Sequence, residues 1–173
     1  EISACLVGSE MCIRDRLVRT SRRTPPVSRT PRSSRVSRCR PGSVKAARPD
    51  AVVSAAVVPD VQAAFDTRLQ DWRTWADQSL IDVLCPMAYS TDSTVFARQV
   101  ADARQYATEA TVWAGIGAYR LKPAETLQFI DTARRLGTSG IVLFSYDSLI
   151  TPPNTLGTLT ELGRAAFGQS SSQ

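Results

Sequence analysis

Four apolar runs recur along the chain at intervals of about 30 residues, and this spacing constrains the fold more than any other feature. The runs begin near Val52, Asp82, Val112 and Ile141. An interval of about 30 residues is the length of one strand followed by one helix. Patterns typical of helices fill the gaps between the runs. This strict alternation predicts a parallel sheet with right-handed crossovers.

The predicted elements form four strand-helix units. The strands are residues 51–60, 81–92, 111–120 and 140–149, each an apolar run that closes on a polar or aromatic tip. The helices are residues 61–79, 94–108, 123–136 and 158–167. Eight such units make a closed barrel of roughly 250 residues, whereas the chain from residue 50 onward has room for four. The expected fold class is α/β, corresponding to the C-terminal half of a (β/α)8 TIM barrel.

The first part of the chain has a different composition. Residues 1–49 hold 12 Lys+Arg and 3 Asp+Glu, whereas residues 50–173 hold 9 and 13. Residues 14–48 contain eleven arginines among Ser, Thr, Pro and Val without helical or alternating periodicity. Such a stretch predicts a disordered basic segment or GC-rich DNA translated in the wrong frame. Residues 1–16 also resemble a translated adapter sequence, and such a segment would not be part of the natural protein. A basic tail of this kind is also typical of nucleic-acid or membrane-surface binding.

These differences define the expected domains. Residues 1–46 are predicted to be a non-native or disordered Arg/Ser/Pro-rich segment, residues 47–168 a partial TIM-barrel domain, and residues 169–173 a tail. We expect no nucleic-acid partner for the domain itself, because its charge balance is acidic. The N-terminus lacks the basic and apolar regions of a signal peptide, and no apolar stretch is long enough to span a membrane.

The residue types present narrow the possible chemistry. The chain contains no histidine, which excludes a histidine base and histidine metal ligands. Cys85 is the single cysteine of the predicted domain and is interpreted as a buried apolar residue. We therefore expect neither a metal nor another cofactor. Acid–base chemistry has to come from carboxylates, Tyr, Lys or Arg.

Three carboxylates follow predicted strands. Asp60, Asp92 and Asp147 lie at or just after the strand tips, the end of the strand that carries the chemistry in α/β folds. Asp60 and Asp92 also precede predicted helices, so each is a candidate N-cap. Asp147 shares a strand face with Ser145 if the strand continues to this point. The candidate catalytic residues are Asp147 and Asp60, with Asp92 a weaker third.

Aromatic and basic residues lie at the same strand ends. Tyr89, Tyr119 and Tyr146 combine an apolar ring with a hydroxyl, which suits stacking on a ring together with hydrogen bonding. Arg120 and Lys122 follow the third strand and are suited to an anionic substrate. These tyrosines, Arg120 and Asp92 are therefore the predicted substrate-binding residues.

Four motifs carry a resemblance to a known family. The segments are QDWRTWADQSLIDVLCPMAYSTD, FARQVADAR, VWAGIGAYRL and ARRLGTSGIVLFSYDSL, between about residues 51 and 149. In this order they resemble the glycosyl hydrolase-like 10 family of bacterial (β/α)8 proteins. The resemblance implies hydrolysis of O-glycosidic bonds in a bacterial cell-wall or other polysaccharide. It also implies that full-length relatives are exported or lipid-anchored.

The carboxylates fit this activity in part. Glycoside hydrolysis uses two carboxyl groups, and the third predicted strand ends without one. The expected function is therefore a fragment of a glycoside hydrolase that is inactive as written. One alternative is a non-catalytic carbohydrate-binding barrel. The other is a different TIM-barrel enzyme, a lyase or isomerase that binds an anionic substrate through Arg120 and Lys122.

Overall fold

A single parallel sheet organises the protein. The computed structural model describes residues 3–6, 44 and 46–168. Within these residues, five strands lie side by side in the order in which they occur along the chain, and every neighbouring pair is parallel. The strands are β1 (Ser3–Leu6), β2 (Val52–Val57), β3 (Val83–Pro86), β4 (Thr111–Gly117) and β5 (Gly140–Phe144).

Helices connect the strands from β2 to β5, and within the described residues two more helices follow β5. They are α1 (Val61–Arg68), α2 (Trp72–Asp77), α3 (Ser93–Tyr106), α4 (Pro123–Arg135), α5 (Tyr146–Ile150) and α6 (Leu156–Phe167). The α/β class and the parallel sheet are confirmed. The sheet is open within the described residues, with β1 and β5 at its two ends. Its strand order is that of half a barrel, and closure into a barrel stays a prediction.

The sheet has one strand more than the four predicted. The backbone of β1 pairs with β2 from Ser3 opposite Val52 to Leu6 opposite Ala55. Val44 also packs against the core. Residues 3–6 and Val44 of the segment thus contact the domain, and the assignment of residues 1–46 as non-native or disordered stays a prediction. β1 lies within residues 1–16, which resemble a translated adapter sequence, and its backbone covers an otherwise open edge of β2. The remainder of the segment, and the tail at 169–173, lie outside the described residues.

The chain between β2 and β3 forms two short helices instead of the single helix predicted over residues 61–79. Leu69 adopts a left-handed conformation with φ of 56°, which ends α1. Asp71 then caps α2 through its side chain. Trp72 and Trp75 are buried, and the Trp72 indole N–H donates to the carbonyl of Val58 at 3.0 Å. Phe65 of α1 is 43% exposed.

The core consists of two main clusters on the sheet. The first packs Trp72, Trp75 and Ile81 against apolar residues of β2, β3 and β4. The second lies between β4, α3 and α4, where the rings of Phe96 and Phe129 have centroids 4.7 Å apart. These helices bury their apolar stripe against the sheet, as amphipathic helices do. Cys85 is buried within β3, as predicted.

Asp82 connects three strands at the amino edge of the sheet. Its N–H donates to the carbonyl of Val53 at 2.8 Å, and its Oδ2 accepts from the N–H of the same residue at 2.7 Å. Its own carbonyl accepts from the N–H of Thr111 at 2.9 Å. Asp82 thereby extends both hydrogen-bond ladders of β3 by one residue. These bonds fix the register of β3 against β2 and β4.

Candidate functional site

Three strands end together at the carboxyl edge of the sheet, and their register sets the level of each side chain. Met87 lies opposite Gly115, and Gly117 lies opposite Phe144. Tyr89 is two residues beyond Met87, so it is level with Gly117. The chain order around this edge is therefore Tyr89, Gly117 and Phe144 on adjacent strands. The side chains of the two outer positions reach over the glycine between them.

The rings of Tyr89, Tyr119 and Phe144 form one group, called here the aromatic cluster. Tyr89 and Phe144 are stacked, with centroids 5.3 Å apart and planes at 11°. Tyr119 meets both of them edge-on, at 6.2 Å from Tyr89 and 5.9 Å from Phe144. Tyr119 is 51% exposed and Phe144 is 43% exposed. The aromatic cluster therefore presents apolar ring surface to solvent at the carboxyl edge.

Gly117 is required by the packing of the aromatic cluster. A Cβ at this position would lie 2.9 Å from Cβ of Tyr89 and 3.2 Å from Cε1 of Tyr119. Gly115 meets the neighbouring strand in a similar way, because its Cβ would lie 2.6 Å from the carbonyl oxygen of Pro86. The two glycines therefore have different neighbours. Gly115 leaves room for the backbone of β3, and Gly117 leaves room for the side chains of Tyr89 and Tyr119.

Arg120 joins the same edge through a tight turn. The strand predicted over residues 111–120 ends at Gly117, and Ala118–Arg120 forms a 3-10 helix. In this turn Nη1 of Arg120 donates to the backbone carbonyl of Tyr89 at 2.6 Å. The guanidinium is exposed. The structure thus brings Tyr89, Tyr119 and Arg120 together, as a common position at the strand ends requires.

Asp60 and Asp92 cap helices, which confirms the capping interpretation of both residues. Oδ1 of Asp60 accepts from the N–H of Ala63 at 2.7 Å at the start of α1. Oδ1 of Asp92 accepts from the N–H groups of Thr94 at 2.7 Å and Val95 at 3.2 Å at the start of α3. The N–H of Val95, followed by that of Thr94, lowers the pKa of Asp92 because these bonds favour its charged form. Both carboxylates therefore accept hydrogen bonds from backbone N–H groups at the start of a helix.

Asp147 and Tyr146 lie in a helix rather than at the end of a strand. β5 ends at Phe144, and α5 begins at Tyr146. The prediction that Ser145 and Asp147 share a strand face is therefore wrong, since the period of two does not apply in a helix. The Asp147 side chain is exposed, and Tyr146 is 60% exposed.

The helix that carries Asp147 packs on the turn that carries Arg120. Leu149 of α5 is buried together with Ala118 of the 3-10 turn and Leu162 of α6. This contact places α5 at the carboxyl edge beside the aromatic cluster. Among the described residues, the ring contacts of the cluster do not include Tyr146. Tyr146 therefore lies near this edge without joining the cluster.

Phe144 was not identified from the sequence as a site residue. It ends the apolar run of β5, where a phenylalanine is expected to be part of the core. Its 43% exposure and its stacking on Tyr89 follow from register, because it lies opposite a glycine. The sequence signal that could have identified Phe144 is a glycine at the end of one strand, Gly117, followed by an aromatic residue at the end of the next strand.

Across residues 3–6, 44 and 46–168, no three His, Cys, Asp or Glu side chains come close enough together to hold a metal ion. None of the helices in the described part of the chain is both long and apolar enough to cross a membrane.

Comparison with known proteins identifies the family. A family model described as glycosyl hydrolase-like 10 matches residues 33–127, just over half of the chain. The match begins within the arginine-rich segment and ends early in α4, so Tyr89, Tyr119 and Arg120 lie inside it and Asp147 lies beyond it. No curated protein and no solved structure gives a significant match. On the family match, which agrees with the motifs of the sequence, the chain belongs to the glycosyl hydrolase-like 10 family.

Proposed function

We propose that the chain supplies one wall of the substrate cleft of a glycoside hydrolase that acts on a bacterial cell-wall or other polysaccharide. The observation that carries this proposal is the exposed aromatic cluster at the carboxyl edge of a parallel sheet. Sugar rings have apolar C–H faces that stack on aromatic rings, and tyrosine adds a hydroxyl for hydrogen bonding. The carboxyl edge is also where barrel enzymes carry their active sites.

The arrangement of the rings favours a chain of sugars over a single small molecule. Tyr119 lies at 89° to Tyr89 and at 83° to Phe144. The surface therefore offers ring planes in two orientations, and successive sugars of a polysaccharide also differ in orientation. An exposed surface of this kind holds part of a long ligand. A small ligand is normally enclosed by a pocket that buries most of its surface.

Asp147 is the carboxylate that we assign to the substrate side of this cleft. Asp60 and Asp92 each accept backbone hydrogen bonds at a helix start, so a catalytic role would compete with capping. Asp147 is exposed on α5, which packs beside the aromatic cluster. Since glycoside hydrolysis uses two carboxyl groups, the residues described here bind the polysaccharide and do not turn it over by themselves.

The capping roles of Asp60 and Asp92 also support a second candidate, a non-catalytic carbohydrate-binding protein. In that function the aromatic cluster alone is sufficient, and Asp147 contributes at most a hydrogen bond. The two candidates predict the same binding surface. They differ in whether Asp147 acts on a glycosidic bond when a second carboxylate is supplied.

Calorimetric titration of the 173-residue chain with chitotetraose and with cellotetraose tests the binding surface. Tyr119→Ala and Phe144→Ala are expected to weaken binding by about 2- to 10-fold, the effect of losing one aromatic contact of 0.5–1.5 kcal/mol. Phe65→Ala is the matched control, because Phe65 is also 43% exposed but lies on α1 outside the cluster. Binding that is equally sensitive to all three substitutions would contradict the proposed surface.

Turnover is measured on peptidoglycan and on aryl glycosides with the same protein. We expect none, and we expect Asp147→Asn to leave the affinity for tetrasaccharides within about twofold. Hydrolysis by the unmodified chain that disappears in Asp147→Asn would show that the chain is a catalyst on its own. That result would overturn the statement that these residues only bind.

A further inference from the structure

We propose that the sugar bound at the aromatic cluster carries a carboxylate and that Arg120 recognises it. This inference rests on the proposed function, because it assumes that a carbohydrate lies on the rings. It goes further by naming the substrate class, an acidic polysaccharide, and the residue that selects it.

The position of Arg120 is fixed relative to the rings. Its Nη1 donates to the carbonyl of Tyr89, whose ring stacks on Phe144. Arg120 also follows Tyr119 directly in the 3-10 turn, and Tyr119 is the most exposed ring of the cluster. The guanidinium is therefore held at the rim of the surface on which a sugar would stack. An anchored arginine loses less side-chain entropy on binding a ligand than a mobile one does.

Arg120 has no carboxylate partner among the described residues. Its contact in this part of the chain is a neutral carbonyl, whereas Arg134 pairs with Asp131 at 3.7 Å. A guanidinium has five N–H donors in a planar fork, and one bond to a carbonyl leaves most of them available. A carboxylate accepts two parallel hydrogen bonds from such a fork, and a hydroxyl cannot reproduce this geometry. The site therefore favours an acidic sugar over a neutral one.

Lys122 is less suited to this role, although it is close in sequence. The carboxylate Oε2 of Glu125 accepts from the backbone N–H of Lys122 at 2.8 Å, which places a negative charge beside that residue. Among the described residues, no carboxylate accepts a hydrogen bond from the backbone N–H or the guanidinium of Arg120. Lysine also lacks the planar fork that holds a carboxylate in one orientation. We therefore assign the selectivity to Arg120.

Two pairs of tetrasaccharides test this assignment on the unmodified chain. Cellotetraose is compared with β-1,4-linked tetraglucuronate, which differs from it by oxidation at C6. Chitotetraose is compared with a tetrasaccharide of alternating N-acetylglucosamine and N-acetylmuramic acid, which adds lactyl carboxylates. In calorimetry at low salt, at least one acidic ligand is expected to bind about tenfold more tightly than its neutral partner. The preference should shrink as salt is added, because an exposed charge pair is screened.

Variants assign the preference to one residue. Arg120→Gln is expected to remove the preference, and Arg120→Lys to retain only a small part of it, because charge remains without the fork. Arg135→Gln is the control, since it removes one exposed positive charge from the end of α4, which returns to the amino edge of the sheet. An equal loss in Arg135→Gln would mean that net charge, rather than Arg120, determines the preference, and would overturn the assignment.

The outcomes separate the two proposals. A preference in the glucuronate pair identifies a uronic acid, and a preference in the second pair identifies a muramic acid type of carboxylate. Neutral and acidic ligands that bind equally well, with dependence on Tyr119, would overturn the role of Arg120 and leave the aromatic surface intact. If none of the four tetrasaccharides binds, both proposals are wrong.

Discussion

Tyr89 and Phe144 stack with ring centroids 5.3 Å apart, although the whole of β4 lies between the strands that they follow. Adjacent strands are about 4.8 Å apart, so positions two strands apart are separated by roughly 9.6 Å. The rings close this distance by leaning over Gly117, which has no side chain between them. The candidate site is therefore a single surface made from three strands, and its continuity depends on one glycine.

Replacing Gly117 by alanine is expected to disrupt this surface. The new Cβ would lie 2.9 Å from Cβ of Tyr89, so that ring or the strand has to move. Overpacking of this kind destabilises a protein by about 1–3 kcal/mol. The free energy of unfolding is measured by urea titration, and tetrasaccharide binding is measured by calorimetry. Both stability and affinity should fall.

Gly163→Ala is the control for that substitution. Gly163 lies within α6, and nothing is within 4 Å of the position of its Cβ. Alanine there should stabilise the protein by about 0.5–1 kcal/mol, the difference in helix propensity between the two residues. If Gly117→Ala behaves like Gly163→Ala, the rings are not closely packed over Gly117.

A pair of substitutions at Asp60 separates helix capping from ligand contact. Asp60→Ala removes the acceptor for the N–H of Ala63 and should lower the free energy of unfolding by about 1 kcal/mol. Asp60→Asn keeps a side-chain oxygen at the cap and should cost far less. Urea unfolding of the two variants measures this difference. An Asn variant with normal stability but weakened sugar binding would instead show that Asp60 contacts the ligand.

The cap at Asp92 should make stability depend on pH. Its pKa in the folded protein is below the ordinary value of 3.8, chiefly because of the N–H of Val95. A lowered pKa means that the charged form stabilises the fold above about pH 3.8, and that this contribution is lost as the pH falls through the folded pKa. Thermal unfolding of the unmodified chain and of Asp92→Asn is compared between pH 6 and about pH 2.5. The advantage of the unmodified chain should decrease over this range, and an advantage that persists at the lowest pH would contradict the assignment.

The regular part of the fold could be predicted because its signals are local. Apolar runs near Val52, Val112 and Ile141 begin within one residue of β2, β4 and β5. The bounds of α3 and α4 differ from the prediction by at most two residues, because Asp92 caps the first and Pro123 begins the second. Each of these signals involves residues that are neighbours along the chain.

The remaining features depend on contacts between distant residues. Leu69 adopts a left-handed conformation that a leucine seldom favours, so no local signal indicated the break between α1 and α2. The helix α5 begins at Tyr146, directly after β5. Its apolar residue Leu149 packs against Ala118, which lies 31 residues earlier in the chain, after β4. Phe144 became a surface residue because Gly117 lies opposite it. For the candidate site, the sequence predicted which strand ends meet, but it did not predict which rings stack.

The bonds of Asp82 have a consequence at the other end of the sheet. Asp82 and Tyr89 are seven residues apart and lie on either side of β3, at opposite edges of the sheet. If β3 slipped by one residue against its neighbours, each side chain would turn to the opposite face, and Ser90 would take the place of Tyr89 beside Gly117. A carboxylate at the amino edge therefore helps to set the position of a ring at the carboxyl edge. Substitution of Asp82 is therefore expected to disturb the aromatic cluster at the opposite edge of the sheet.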